Sequence, residues 1–416
     1  MYSKLISGTA ISQSVAALSI LAVAQLYSPS EFGIYSGLIA SATIISVVLN
    51  LKLDVSITMS ADYQQSDHKK NCAATIVLFI GAILLTPAII AAIVTQSTAF
   101  ILVILLSVGI SLTSIFQVFL IKTNRYEVLN KSKFLLVLSQ LVVQIIFSQI
   151  PLSNSLSLGH LIAIIISLFY ISKKMELKLC KPSTVMIFVK ANQKVIKFTL
   201  PAALLSTVSI QIIPLILLLQ FGSHFAGQYA MAYRLLGFPL SLFGAAIGQG
   251  LSKEISDAPD AIKTHVTRIV RKISIISSII FPLFIILGYF IFNTQKSQWG
   301  TAAMLIIIMS PSFILNIITS PLSNIPALIH KNEFSLYFTI LEITIKPASL
   351  FIGYFFGDLQ AAFALSSSTA VLLLYYYLYI SYLCKITIQR SLALISSSLL
   401  VASTTFLLSL VHIITE

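Results

Sequence analysis

The sequence predicts an all-α polytopic membrane protein: two six-helix lobes related by a pseudo-two-fold axis along the membrane normal, followed by an extra C-terminal span. Three observations predict it. The composition is 57% apolar and only 9% charged, against about 25% charged in ordinary globular chains. Apolar runs of the ~20 residues that cross a bilayer recur about a dozen times, and they are apolar all round, not alternating as barrel strands are. The connecting loops are short, the longest covering 173–198, so no soluble catalytic domain fits among them.

The first run, 5–26, carries Ala22-Val23-Ala24, which looks like a peptidase site. The apolar stretch before it is too long for a signal peptide, so it reads as an uncleaved span. Turn residues and charges delimit further spans near 33–59, 71–94, 99–121, 134–150 and 156–172. Residues 1–172 therefore form an N-terminal six-helix lobe and 173–198 a basic cytoplasmic inter-lobe loop. Spans near 199–221, 228–250, 273–293, 301–329, 336–356 and 361–384 make a C-terminal lobe, 199–384. Residues 385–416 hold a cytoplasmic turn and a last run at 392–412. Gly33 and Tyr35 open the second span at the same offset as Gly227 and Tyr229 open the eighth. That echo suggests an internal repeat, and an even number of spans per half suits parallel lobes with substrate between them.

The net charge of +13 is a topology signal. With the N-terminus inside, only Lys296 of the 26 basic residues falls on the outer face, and only Lys52, Arg234 and Lys346 fall inside apolar runs. Nucleic acid is not an expected partner. Cys72, Cys180 and Cys384 lie at or near the cytoplasmic side, where thiols stay reduced, so no disulfide or metal framework is implied. Loops 173–198 and 251–272 mix bases with apolar residues, as a solvated anchor or a segment lying on anionic lipid would.

Enzyme signatures such as His-Glu-x-x-His, a Walker loop or Gly-x-Ser-x-Gly are absent. With short outer loops as well, transport without chemistry is expected, with no cofactor. Charges in hydrocarbon cost roughly 2.5–3.5 kcal/mol each and normally face a cavity or a partner. There are five: Lys52 and Asp54 in span two, Arg234 in span eight, and Glu342 with Lys346 at i and i+4 in span eleven. For the first three the alternative is snorkelling to the interface; for the last two it is a structural ion pair. As functional groups, the cations suit an anionic substrate, and an arginine fork suits phosphate oxygens. Glu342 or Asp54 is the candidate proton or sodium site. Polar residues in the spans, among them Gln13, Gln211, Gln140 and Gln144, serve either interhelical hydrogen bonds or a cavity for sugar hydroxyls. Tyr375, Tyr379 and Tyr382 read as an interfacial aromatic belt.

Leu5-Ile6-Ser7-Gly8-Thr9-Ala10, Leu26-Tyr27-Ser28-Pro29-Ser30-Glu31-Phe32-Gly33-Ile34-Tyr35 and Gly227-Gln228-Tyr229-Ala230-Met231-Ala232-Tyr233-Arg234 resemble the polysaccharide exporters. The order and spacing are most similar to Wzx-type O-antigen flippases of the MATE-like multidrug/oligosaccharidyl-lipid/polysaccharide exporter superfamily. The resemblance implies movement of an undecaprenyl-diphosphate-linked oligosaccharide from the cytoplasmic to the periplasmic leaflet of a bacterial inner membrane. It further implies alternating access through a cationic cavity, contact with membrane lipids, and a polysaccharide polymerase and chain-length regulator as partners. Arg234 matches the family's Ala-Tyr-Arg, and Lys52 and Asp54 stand where many relatives carry Arg-Tyr-Glu. The family usually has twelve spans, one fewer than counted here. A cation-coupled drug antiporter of the same superfamily is the alternative; it should show a net acidic cavity, whereas here three intramembrane cations face two acids.

Overall fold

The computed structural model describes residues 15, 19, 22–150, 152–294 and 298–415. All regular structure among the described residues is helical. Ten of these helices are long and apolar enough to cross a membrane, or eleven when a bent C-terminal pair is counted as one span. The protein is therefore a multi-pass helical membrane protein. It divides into two compact units, Met1–Leu219 and Gln220–Glu416.

In the first unit, helix α1 (Pro29–Asn50) starts on a capping box. The Ser28 hydroxyl accepts from the Glu31 N–H, and the Glu31 carboxylate accepts from the Ser28 N–H, with Pro29 preset for the first turn. The helix stops because Leu51 and Lys52 both take left-handed backbone, φ 49° and 56°, a region that non-glycine residues rarely enter. A short helix α2 (Asp54–Thr58) follows. The span expected at 33–59 is thus two pieces with a break at the charged end.

Helix α3 (Tyr63–Thr95) begins where the Asp62 side chain accepts from the Gln65 N–H. That is well before the apolar run, because a capped polar turn extends the helix beyond hydrocarbon. Helix α4 (Ala99–Lys122) is the centre of this unit and packs against α1, α3 and α6 (Ser155–Lys174). Between α4 and α6, α5 (Tyr126–Phe147) also starts earlier than its apolar run, with a Glu127–Lys131 pair one turn apart in its first turns.

The segment expected as a 173–198 loop contains helix α7 (Pro182–Ala191). Its Phe188 joins the core formed by Leu49, Ile57, Cys72 and Phe119, while Met186 and Ile187 stay exposed. A π-helical turn, Val195–Thr199, leads into α8 (Leu200–Gln220).

In the second unit, α9 (Gly222–Asp257) and α10 (Ile262–Thr294) leave only Ala258 and a 3-10 turn, Pro259–Ala261, between them. The loop expected at 251–272 is accordingly almost all helix, its charges riding on helical turns outside the apolar run. His265 pairs with Glu254 across that turn at 2.7 Å. Helix α11 (Gly300–Thr319) forms the axis of the unit, buried against α9, α10, α14 (Asp358–Leu383) and α16 (Ser396–Thr415). A 3-10 turn, Ser320–Leu322, and α12 (Ile325–Leu328) connect it to α13 (Asn332–Tyr354). At Gly353 a Cβ would lie 2.5 Å from the Ala361 Cα, so only glycine lets α13 approach α14 backbone to backbone there. The last apolar run is also broken: α15 (Ile388–Leu394) meets α16 at a 69° bend. Hydroxyls of Ser397 and Ser398 pin α16 to Ser274 of α10.

Candidate functional site

The first charged locus is built by the break after α1. Asp54 is buried, and its carboxylate accepts from the Lys52 ammonium at 3.3 Å, from its neighbour's Val55 N–H at 3.0 Å and from the Ser114 hydroxyl of α4 at 3.4 Å. Lys52 keeps about a third of its side chain in solvent, 32% against 5% for Asp54. The left-handed backbone at Lys52 accompanies this short-range pairing two residues apart. Asn50, the last residue of α1, is buried, and among the described residues its side-chain oxygen has no hydrogen-bond partner. Cations also close the far end of α2, where Lys69 donates to the Ser56 carbonyl and Lys122 to the Thr58 carbonyl.

The second locus belongs to the second unit. Glu342 and Lys346, one turn apart on α13, form a half-buried pair at 2.5 Å with 18% and 16% of their side chains exposed. The Glu342 carboxylate lies within electrostatic reach of Tyr233 of α9 and Tyr376 of α14. Tyr233 stacks on Tyr229 and sets its edge against Phe313 of α11 at 5.1 Å. Arg234, the next residue of α9, is half-buried. The Ala-Tyr-Arg stretch and the Glu342–Lys346 pair therefore belong to the same unit and are linked through Tyr233, which Glu342 reaches electrostatically and which packs on Tyr229 and Phe313.

Each acid–lysine pair is formally neutral. A Glu342→Gln change is expected to destabilise the protein by about 2 kcal/mol, less than for a fully buried pair, because it strands the Lys346 charge. The double change Glu342→Gln with Lys346→Met should recover most of that loss in a detergent melting assay. Additive losses in the cycle would show that the two side chains act separately.

Positive charge in excess sits elsewhere in the second unit. Lys263, Arg268, Arg271 and Lys272 of α10 and Arg390 of α15, all exposed, line an open cavity of about 410 Å³ with Thr264 and Thr267, and among the described residues no acid lines it. None of these five cations forms an ion pair among the described residues. The Thr267 hydroxyl is buried and has no hydrogen-bond partner among the described residues. A cavity of this kind is chemically suited to phosphate oxygens.

Of the other expected site residues, Gln13 lies outside the described residues. Gln211 is half-buried on α8 in the first unit. Gln144 makes an interhelical bond, its amide donating to the Leu156 carbonyl at 3.1 Å. Gln140 instead donates to the Tyr35 hydroxyl, which is 2.7 Å from the His160 ring Nδ1. Sequence reasoning registers Tyr35 only as a repeat marker and misses His160 altogether. It also misses the basic cavity, although Lys263, Thr267, Arg268, Arg271 and Lys272 follow helical spacing that aligns them once the segment is read as helix. The tyrosine belt is partly internal: Phe334 stacks on Tyr379 at 4.0 Å, and Tyr376 and Tyr377 are buried while Tyr382 is exposed.

No family model matches the chain, and no curated protein matches it. Solved structures do. The lipid II flippase MurJ in an inward closed conformation is similar with a TM-score of 0.67 at 14% identity, over 99% of this chain and 96% of that one. An outward-facing multidrug resistance MATE family transporter of the MOP superfamily is similar with a TM-score of 0.62 at 14% identity, over 92% and 95%. The MATE multidrug transporter DinF-BH gives 0.61 at 12% identity, over 91% and 93%. The chain shares the fold of these transporters and of this flippase along nearly its whole length.

Proposed function

We propose that this protein is a flippase that carries an undecaprenyl-diphosphate-linked oligosaccharide, an O-antigen or similar repeat unit, from the cytoplasmic to the periplasmic leaflet of a bacterial inner membrane. The observation that carries the reading is the acid-free cavity ringed by Lys263, Arg268, Arg271, Lys272 and Arg390. The positive-inside pattern favours the cytoplasmic side for it, where a lipid diphosphate would be captured. The fold shared with a lipid II flippase supports the same class of cargo. Within each unit, the pairing geometry suggests how ion binding couples to substrate. Protonating or sodium-loading Glu342 or Asp54 releases the partner lysine, Lys346 or Lys52, to meet an anionic group. In this proposal the N-terminus is cytoplasmic, and the product passes to a polymerase and chain-length regulator.

The test is made in cells lacking the protein. Complete lipid-linked repeat units are expected to accumulate in mass spectra of extracted lipids while surface polysaccharide disappears, with reversal by the intact gene. An Arg268→Glu, Arg271→Glu variant at equal abundance should reverse neither change. Normal surface polysaccharide with no trapped intermediate would remove the flippase reading. Drug sensitivity in the same cells would then favour the cation-coupled antiporter.

A further inference from the structure

The first unit holds a cluster that the flippase reading does not use. His68 and Cys72 lie one turn apart on α3 and so share a face. Residues 175–181 run as a strap across that helix before α7 begins. Three hydrogen bonds fix it: Lys70 Nζ donates to the Glu176 carbonyl at 3.0 Å, the Lys178 N–H to Asn71 Oδ1 at 3.3 Å, and the Cys180 N–H to Thr75 Oγ1 at 3.0 Å. This binding brings Cys180 Sγ to 3.0 Å from Cys72 Sγ, which is itself 3.7 Å from His68 Nε2. All three donor atoms lie within 4.8 Å of one another, and both cysteines are free thiols.

A tetrahedral d10 ion holds sulfur at about 2.3 Å and imidazole nitrogen at about 2.0–2.1 Å, so its donor atoms sit roughly 3.8 Å apart for two sulfurs and roughly 3.6 Å apart for sulfur and nitrogen. The His68–Cys72 separation already matches. The two sulfurs need to part by less than about 1 Å, a movement that two thiolates around a cation would make anyway. Cys72 is fully buried and Cys180 half-buried, whereas His68 is exposed; the imidazole edge is the entry path and the thiols are the shielded end. Asp67, next to His68, is already held by Lys70 and Asn71, which leaves the fourth position for water or a ligand from outside.

We propose that His68, Cys72 and Cys180 form a three-ligand site for a d10 cation of the zinc(II) type, which clamps the 175–181 strap onto α3. Binding breaks two S–H bonds, releases two protons to solvent and forms two metal–sulfur bonds, while the imidazole binds neutral through Nε2. No electron changes hands, and affinity rises with pH as the thiols give up protons.

The experiment uses the full chain, reduced, purified in detergent and stripped of metal. Zinc(II) is titrated against a chromophoric chelator, and cobalt(II) serves as the spectroscopic probe. One equivalent per chain is expected, with a sulfur-to-cobalt charge-transfer band. Cys180→Ser, on the strap and outside the helix, should weaken binding by more than the roughly 10–100-fold typical of losing an outer-shell partner. His68→Ala should do the same, and Cys384→Ser should change nothing. Zinc uptake that survives Cys180→Ser would overturn the assignment. So would a reduced protein that takes up no metal and merely forms a Cys72–Cys180 disulfide when treated with a dithiol oxidant.

Discussion

Lys70→Met is expected to lower the detergent melting temperature and the cellular abundance of the protein more than any other single lysine change, at a cost of about 3 kcal/mol. Lys70 is fully buried. Its ammonium donates to Asp67 Oδ1 at 2.6 Å and to the Glu176 carbonyl at 3.0 Å, and it lies over the Phe119 ring at 4.7 Å. Methionine keeps the volume and the aromatic contact but leaves a carbonyl without its donor and a carboxylate without its counterion. The cost stays at the lower end for a broken buried pair because Asp67 retains 33% exposure and can take up water. Lys131→Met, which removes an exposed pair with Glu127, should leave melting unchanged. Equal melting of the Lys70 and Lys131 variants would show that the burial of Lys70 contributes nothing to stability.

Arg234→Ala is expected to reduce transport at least tenfold while protein level and melting change little. Arg234 sits on α9 one residue after Tyr233, whose ring rests on Phe313 of the axial helix α11. The backbone there is mid-helix, so truncating the side chain does not disturb a cap or a turn. Arg234→Lys keeps the charge and discards the planar fork. Recovery of transport by lysine would mean that charge alone is read; continued loss would mean that bidentate contact is needed. Transport by the alanine variant equal to wild type at matched abundance would reject a role in substrate handling.

How far these features are legible in the sequence depends on the range over which they form. The spans expected at 99–121 and 156–172 correspond closely to Ala99–Lys122 and Ser155–Lys174, because turn residues sit at both edges of each apolar run. The segments 173–198 and 251–272 read as loops in the sequence because their charge density resembles a helix end, whereas α7, α9 and α10 carry their lysines and arginines on helical turns beyond the apolar stretch. No glycine or proline marks the break at Leu51 and Lys52, so the pattern gives no sign of it. Within the candidate sites, Glu342 with Lys346 and Lys52 with Asp54 are readable because their partners are four and two positions away. Tyr35 with His160 and Cys72 with Cys180 lie 125 and 108 positions apart, and only the folded chain brings them together.

The strap across α3 also sets an order of events during synthesis. The groups it satisfies on α3, from Lys70 to Thr75, are translated more than one hundred residues before Glu176, Lys178 and Cys180. At about 5–20 residues per second, the nascent chain waits roughly 5–20 s with the Lys70 ammonium short of its carbonyl partner. Throughout that interval α3 to α6 are in the membrane or entering it, yet the unit cannot close. Ribosome stalling or truncation just before residue 176 should therefore leave a full set of early helices that quality-control proteases still recognise as unfinished, whereas a chain released only after Gln220, with the strap, α7 and α8 all made, should complete the unit.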